Sequence, residues 1–206
     1  FQQTGKRLVL VDQYIPSIQA PTVMVNKVRE SYIATQHLIM LGHHRICYVS
    51  TAGYDVTGYE GLRGYRQALQ DYNLDYDNAL HLEGPAVEKH KQTYHNVMDF
   101  LLQHGEKCTA FQTPQPGKTY DILHALKDAG KKVPQEYAVV GGETYVFPEL
   151  GNVTHTEKPA FKMGQEAVKL LLDEKPADQL KDHVLLDPVL VIGDTCQPNL
   201  NGKNSS

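Results

Sequence analysis

The sequence predicts an α/β domain on a mostly parallel sheet, and three observations carry that expectation. The stretch from Asn26 to Val49 runs as a helix, stops at Gly42 and feeds straight into the short apolar run Ile46, Cys47, Tyr48, Val49. An unbroken apolar run is the pattern of a parallel strand covered on both faces. The plan of helix, glycine stop and extended run then recurs at Gly105 and Gly130, which calls for crossovers onto one doubly wound parallel sheet.

Taken in order, Leu8 to Asp12 is an apolar run ending in a carboxylate, and Pro21 to Val25 is a second extended piece reached through a proline-containing loop. Asn26 is a natural N-cap, and Ser31, Ala34, Leu38 and Leu41 follow at the helical period, with small members that let the helix lie close to a sheet. Arg45 to Ser50 is the strand that follows. Leu62, Tyr65 and Leu69 mark the next helix, Ala79 to Leu82 a short strand, and Tyr94, Val97, Met98 and Leu101 a helix ended by Gly105. Lys107 to Gln112 is strand-like; Ile122, Leu123 and Leu126 mark a helix closed by Gly130; Tyr137 to Val140 is a strand running into Gly141 and Gly142. Regularity lapses from Phe147. A last helix presents Gly164, Ala167, Val168 and Leu171, and the extended pieces around Pro188 mark an edge or a break. The polar tail from Asn199 is expected to fray.

With 206 residues the chain can build one large α/β domain, or one domain with part of another. A net charge of −4, with basic residues scattered rather than striped, excludes this segment as the part of a protein that grips DNA. No apolar run approaches the roughly 20 residues of a membrane span, and no charged-then-apolar leader opens the chain. Cys47, Cys108 and Cys196 are an odd, widely spaced set that fits reduced thiols and a cytoplasmic location.

Ligands of an open parallel sheet bind beyond the carboxyl ends of its strands. The candidate stretches are therefore Asp12, the Ser50 to Gly61 loop, Gln115 to Thr119, and Gly142 to Tyr145. Gly117, Lys118 and Thr119 form half of a phosphate-binding loop. A complete one needs glycine where Gln112 stands, and Pro114 and Pro116 remove backbone N–H groups that would cradle phosphates. The expectation is a helix N-terminus with a well-placed lysine; an anionic ligand favoured by that helix end and Lys118 is the second reading, and a nucleotide-hydrolysing enzyme the lesser one. None of the ten histidines has metal-ligand spacing. His43 and His44 follow a helix stop, where positive charge suits the dipole, and His43 is read as structural. His37 and His124 fall in helices and are expected to be partly exposed. No catalysis, metal or cofactor is expected. Asp12, Asp55, Thr57, Gln115 and Glu143 instead gather acceptors and amides at strand ends, which suits a hydroxyl-rich ligand because each buried hydroxyl needs a partner.

One further pattern covers nearly the whole chain. HLI at 37–39, Gly42, His43, Arg45 and Ile46 are followed in register by Gly64, Tyr65, Ala68 and Leu69. ALKDAGKKVPQEYAVVG then spans 125–141, and Lys158, Pro159, Met163, Gly164 and Ala167 close the series. It resembles the effector-binding domain of LacI/GalR-type bacterial transcription repressors. The resemblance implies a type I periplasmic-binding-protein-like fold of two lobes around an effector cleft, preceded by a helix-turn-helix headpiece. Residues 1–25 then end the first lobe, 26–150 make the second, 151–182 return to the first, 183–198 give the last strand of the second, and 199–206 form a tail. Phe1 would lie late in the first lobe. The implied function is sensing of a sugar or sugar phosphate by a homodimeric repressor that reaches operator DNA through the headpiece. A sugar-binding protein for transport shares the fold and is the alternative.

Asp12 matches the family's carboxylate after the last first-lobe strand, and Gln115 stands where an asparagine usually contacts effector. Glu143 replaces the aspartate of a Gly-aromatic-Asp-Asp motif that here reads Gly141, Gly142, Glu143, Thr144. The position of the effector-binding arginine is Gly61, with Arg63 nearby; Pro116 takes the place of an aspartate, and Gly193 that of a basic residue. Longer acid and amide side chains with glycines opposite are expected to admit a differently shaped sugar or, with Lys118, a phosphorylated one.

Overall fold

Residues 46–51 show how the chain sorts itself. Ile46 and Tyr48 pack with Ala34, Leu38, Tyr65 and Leu69, whereas Cys47 and Val49 pack with Val97, Phe100, Ile122 and Leu126. Successive side chains of a strand point to opposite faces, so one strand feeds two cores. The structure is a computed structural model that describes residues 7–15, 17–51, 56–84, 92–142, 151–173 and 183–199, with backbone alone for 56–58.

Among the described residues the elements run β1 (Leu10–Val11), β2 (Thr22–Val25), α1 (Lys27–Met40), β3 (Ile46–Thr51), α2 (Val56–Asp71), β4 (His81–Gly84), α3 (Gln92–His104), β5 (Ala110–Gln112), α4 (Pro116–Asp128), β6 (Ala138–Gly141), β7 (Thr154–Glu157), α5 (Ala160–Leu172), β8 (His183–Leu186) and β9 (Val189–Val191). They fall into two units. The smaller comprises Phe1–Asn26 and Lys158–Val189, the larger Lys27–Glu157 and Leu190–Ser206.

The larger unit holds a sheet of order β4-β3-β5-β6-β7-β9, in which β4, β3, β5, β6 and β7 pair parallel. The chain starts at β3, steps outward to β4 and then returns past β3 to β5. The winding therefore reverses between β3 and β5. Helices α1 and α2 supply one core, α3 and α4 the other. Tyr48 stacks on Tyr65 with ring centroids 4.9 Å apart, and the Tyr65 hydroxyl donates to the Ile46 carbonyl at 2.8 Å, so neither aromatic buries an idle polar group. Helices α1 and α2 approach closely at Gly64, where any Cβ would overlap the Val28 carbonyl.

In the smaller unit β1, β2 and β8 form a parallel sheet. Met163, Ala167 and Leu170 of α5 bury against Val23, Val25 and Leu186. The expected inward face was Gly164, Ala167, Val168 and Leu171, yet Val168 and Leu171 are 52 % and 40 % exposed. The two sets are neighbouring stripes at helical spacing, and the choice falls to the stripe that carries Met163.

Other boundaries also differ from expectation. Residues 183–198 are not one strand of the second lobe: β8 pairs with β2 in the smaller unit, and only β9 joins the larger sheet. Residues 151–157 do not open a return segment, because β7 pairs with β6. The strand expected at Ala79 to Leu82 begins at His81, after a 3₁₀ turn over Asn78–Leu80 held by Asp77 Oδ1 accepting from the Ala79 N–H at 2.9 Å. Leu41 lies past the end of α1. Asn199 is not frayed, since its N–H donates to the Leu41 carbonyl at 2.7 Å and its side-chain amide to the Gly42 carbonyl at 3.1 Å. The start of the lapse from Phe147, residues 147–150, lies outside the described residues, and β7 follows it at Thr154–Glu157.

His43 is structural but not cationic. It is 3 % exposed, with Nδ1 2.9 Å from Thr109 Oγ1 and Nε2 3.1 Å from the Gln197 carbonyl. Nε2 therefore carries the proton and Nδ1 accepts the threonine hydroxyl. Burial pulls the affinity of His43, His81 and His37 for a second proton below the ordinary value of 6.5. An unfolded chain takes up those protons as pH falls through about 6.5 and the folded chain resists, so stability is full above that pH and declines below it. The thermal midpoint is expected to fall between pH 7.5 and 5.5, and His43→Gln to flatten that slope while lowering the midpoint at pH 7.5. A Gly64→Ala variant should cost about 3 kcal/mol or more in urea unfolding, because it forces α1 and α2 apart.

Candidate functional site

The carboxyl ends of the parallel strands in the larger unit carry a polar rim. At its centre, where the winding reverses, Gln115 follows β5 as the N-cap residue of α4. Its Nε2 donates to Thr51 Oγ1 at the end of β3. Its N–H donates to Thr113 Oγ1 at 3.3 Å. Oε1 of the same amide is buried and, among the described residues, has no hydrogen-bond partner. A buried acceptor left unmet costs about 1–3 kcal/mol, which a ligand hydroxyl or N–H placed there would recover.

Lys118, one turn into α4, is 4 % exposed. Its Nζ donates to Thr93 Oγ1 at 3.1 Å, and Gly84 at the end of β4 packs so close that a Cβ there would lie 2.8 Å from both Nζ and Thr93 Oγ1. Thr119 donates its hydroxyl to the Gln115 carbonyl at 3.0 Å and accepts the Gly142 N–H at 3.1 Å. Both functional side chains of the half phosphate loop therefore bind the protein's own framework, tying α4 to α3 and to the residue that follows β6.

Beneath the rim lies a polar layer. Thr35 Oγ1 is shared between the Ser31 carbonyl at 2.7 Å and the Gln112 side chain at 2.9 Å. Tyr48 OH and Ser31 Oγ are 3.3 Å apart, and burial raises the Tyr48 phenol so that it stays neutral. Ser50 Oγ is 2.8 Å from His81 Nε2, whose ring also meets the Tyr76 hydroxyl at 3.3 Å. Buried Glu30 meets Lys27 at 3.0 Å and Thr156 Oγ1 at 3.2 Å. None of these partners carried a sequence motif; polar residues within apolar strand and helix faces were the available signal.

The expected residues separate. Gln115 and Lys118 share the rim of the larger unit. Asp12 belongs to the smaller unit, where it adopts a left-handed backbone with φ 59° and pairs with Lys158 Nζ at 2.7 Å. Arg63 lies on the exposed face of α2 beside Tyr59, Leu62, Arg66, Gln67, Gln70 and Asp71, not with Gln115. Gly61, two residues earlier and so about 200° around the helix, is the one that faces inward. Asp55 and Glu143 lie outside the described residues, as does the side chain of Thr57.

The glycines do not open room for a larger ligand, contrary to expectation. A Cβ on Gly61 would sit 2.5 Å from the Tyr48 hydroxyl and 3.1 Å from Ser31 Oγ, and one on Gly142 or Gly193 would overlap the carbonyls of Pro114 or Asn152. The space is already filled. A groove of about 510 Å³ lies elsewhere in the larger unit, lined by Leu123, His124, Lys127, Val133, Gly151, Asn152, Asp194 and Thr195, toward the opposite end of α4 from Gln115. Among the described residues no group of His, Cys, Asp and Glu is arranged to hold a metal ion, and no helix is long and apolar enough to cross a membrane. The three cysteines are free thiols.

Gly61→Ala is expected to cost about 1–3 kcal/mol in urea unfolding. Much of that cost should vanish in a Tyr48→Phe background, where a double-mutant cycle isolates the clash.

Residues 35–196 match the model of the periplasmic binding protein-like domain. The chain is 30 % identical over 164 residues to the HTH-type transcriptional regulator CelR of Thermobifida fusca, covering 77 % of this chain and 46 % of that protein. It is 25 % identical over 194 residues to the arabinose metabolism transcriptional repressor of Geobacillus stearothermophilus, covering 89 % and 52 %. It thus spans about half the length of these relatives. A LacI family regulator from Enterococcus faecium with bound ribose superposes with a TM-score of 0.78 at 22 % identity, covering 96 % of this chain and 73 % of that one. The regulator CelR in complex with cellobiose gives 0.75 at 26 %, covering 91 % and 58 %. The chain belongs to the periplasmic binding protein-like domain family, in the form carried by LacI-type regulators.

Proposed function

We propose that this chain is the effector-sensing part of a bacterial LacI-type transcriptional repressor, and that its effector is a sugar or sugar phosphate received at the strand-end rim around Gln115. The observation that carries this reading is the buried, unpartnered Gln115 Oε1 at the point where the sheet winding reverses, the general place for a ligand in an open parallel sheet. The acceptor calls for a donor, and a polyol supplies donors at every carbon. Ribose and cellobiose are the ligands bound to two structural relatives, which supports the sugar class. Glu143, Asp55 and Thr57 stay candidates by their sequence positions alone, and Asp12 is the candidate carboxylate of the smaller unit.

The smaller unit corresponds in this reading to part of the first lobe and the larger to the second. The intact protein acts in the cytoplasm as a homodimer that reaches operator DNA through a separate headpiece, and effector occupancy alters its hold on DNA. The regulator relatives favour this over a transport role. Framework bonds of Lys118 and Thr119 count against phosphate chemistry, and no catalytic step is assigned.

A calorimetric screen of pentoses, hexoses, cellobiose and their phosphates is expected to give binding that weakens about tenfold or more in Gln115→Leu, since loss of one well-made buried hydrogen bond is worth about that much. Binding indifferent to Gln115→Leu moves the site elsewhere, and a silent panel removes the sugar reading.

A further inference from the structure

We propose that Lys158 is the positioning residue for the Asp12 carboxylate, so that ligand recognition by Asp12 depends on a lysine that does not itself need to touch the ligand. This rests on the reading of Asp12 as ligand-facing. Three features of the smaller unit carry it.

The first is backbone. Asp12 stands just past β1 with φ 59°, a left-handed conformation that aspartate tolerates better than most residues but that still carries strain. Its N–H donates to the Val23 carbonyl at 2.8 Å. The strained turn is thus pinned to β2, and the side chain is turned away from the direction an extended residue would give it.

The second is the ion pair. Lys158 Nζ lies 2.7 Å from Asp12 Oδ2, across 146 positions of sequence. That length is typical of a charge-assisted hydrogen bond. The contact engages Oδ2 of the carboxylate, and in this reading Oδ1 is the oxygen that accepts from a ligand. Without the lysine the carboxylate rotates about its last torsion, and a ligand hydroxyl must fix that rotation as it binds.

The third is exposure. The side chains of Lys158 and Asp12 are 34 % and 33 % exposed, and a pair so open to water contributes little to folding stability. A stability role does not account for it, whereas orienting a carboxylate does. Lys158 is also the first residue of the smaller unit after β7 and precedes Pro159, the N-cap position of α5, and its carbonyl accepts the Ala160 N–H at 2.8 Å.

Two measurements on the 206-residue chain test this. Acetylation of lysines by a water-soluble N-hydroxysuccinimide ester, read by mass spectrometry without ligand, should find Lys158 several-fold slower than exposed Lys162, with Asp12→Asn releasing it. Equal rates in the unaltered chain overturn the proposal. Calorimetry with D-ribose, L-arabinose and cellobiose should show Lys158→Met weakening the best of these about tenfold, with Lys158→Arg recovering most of the loss and the thermal midpoint moving by no more than about 2 °C, as for an exposed pair. Raised salt should weaken binding in the unaltered chain and not in Lys158→Met, because salt screens a pair this exposed. Affinity and salt response unchanged in Lys158→Met overturn the positioning role even if labelling shows the pair. If none of the three sugars binds the unaltered chain, the hexoses and sugar phosphates of the wider panel take their place as probes, and the labelling result decides by itself whether Lys158 holds Asp12.

Discussion

Because Ile46 and Tyr48 are covered by α1 and α2 while Cys47 and Val49 are covered by α3 and α4, the backbone of β3 has no access to water along most of its length. Its N–H and C=O groups must be met by neighbouring strands, and they are, by β4 on one side and β5 on the other. A strand buried on both faces leaves only its end for polar chemistry. Thr51, the last residue of β3, is where the first rim hydroxyl appears, and the reversal of winding puts Gln115 beside it.

The rim is therefore a consequence of sheet order rather than of any one motif. Gln115 reaches Thr51 because β5 lies next to β3 although a strand and two helices separate them in the chain. Thr119 and Gly142 then hold the neighbouring loop in place: the hydroxyl of one meets the N–H of the other, and a Cβ at 142 would push against Pro114. Rigid support of this kind keeps an unmet acceptor such as Gln115 Oε1 from finding a partner by relaxing, which is what a site needs before its ligand arrives.

How much of this was legible depended on whether the signal was local. Apolar runs placed β3, β5 and β6 within a few residues, and glycine stops ended their helices, because those features follow from burial and backbone freedom alone. β7 was missed. Its residues, Thr154 to Glu157, form no apolar run, yet Thr154 and Thr156 are fully buried, each hydroxyl meeting a distant partner: the Gly193 N–H for one and Glu30 for the other. A strand made acceptable by bonds to residues far along the chain leaves no periodicity to detect. The site divided in the same way. Gln115 and Lys118 were placed by their position after a strand, but what Lys118 binds was not: it meets Thr93, 25 positions away. Arg63 was carried by proximity in sequence to a family position, and helical geometry turned it outward.

The glycines at 61, 142 and 193 give these departures a common physical form. In each place the family expects a side chain, and in each the space is held by this chain itself, by the Tyr48 hydroxyl or by the carbonyls of Pro114 and Asn152. Removing a side chain usually leaves a cavity, which is costly unless neighbours move in. Here they have moved in, so recognition cannot rest on those positions, nor on a pocket enlarged by their loss. Among the described residues, the polar group left unmet on the rim of the larger unit belongs to the β5–α4 connection. That connection places a glutamine where an asparagine is usual, and the one extra methylene carries its amide to Thr51 while leaving an oxygen unmet.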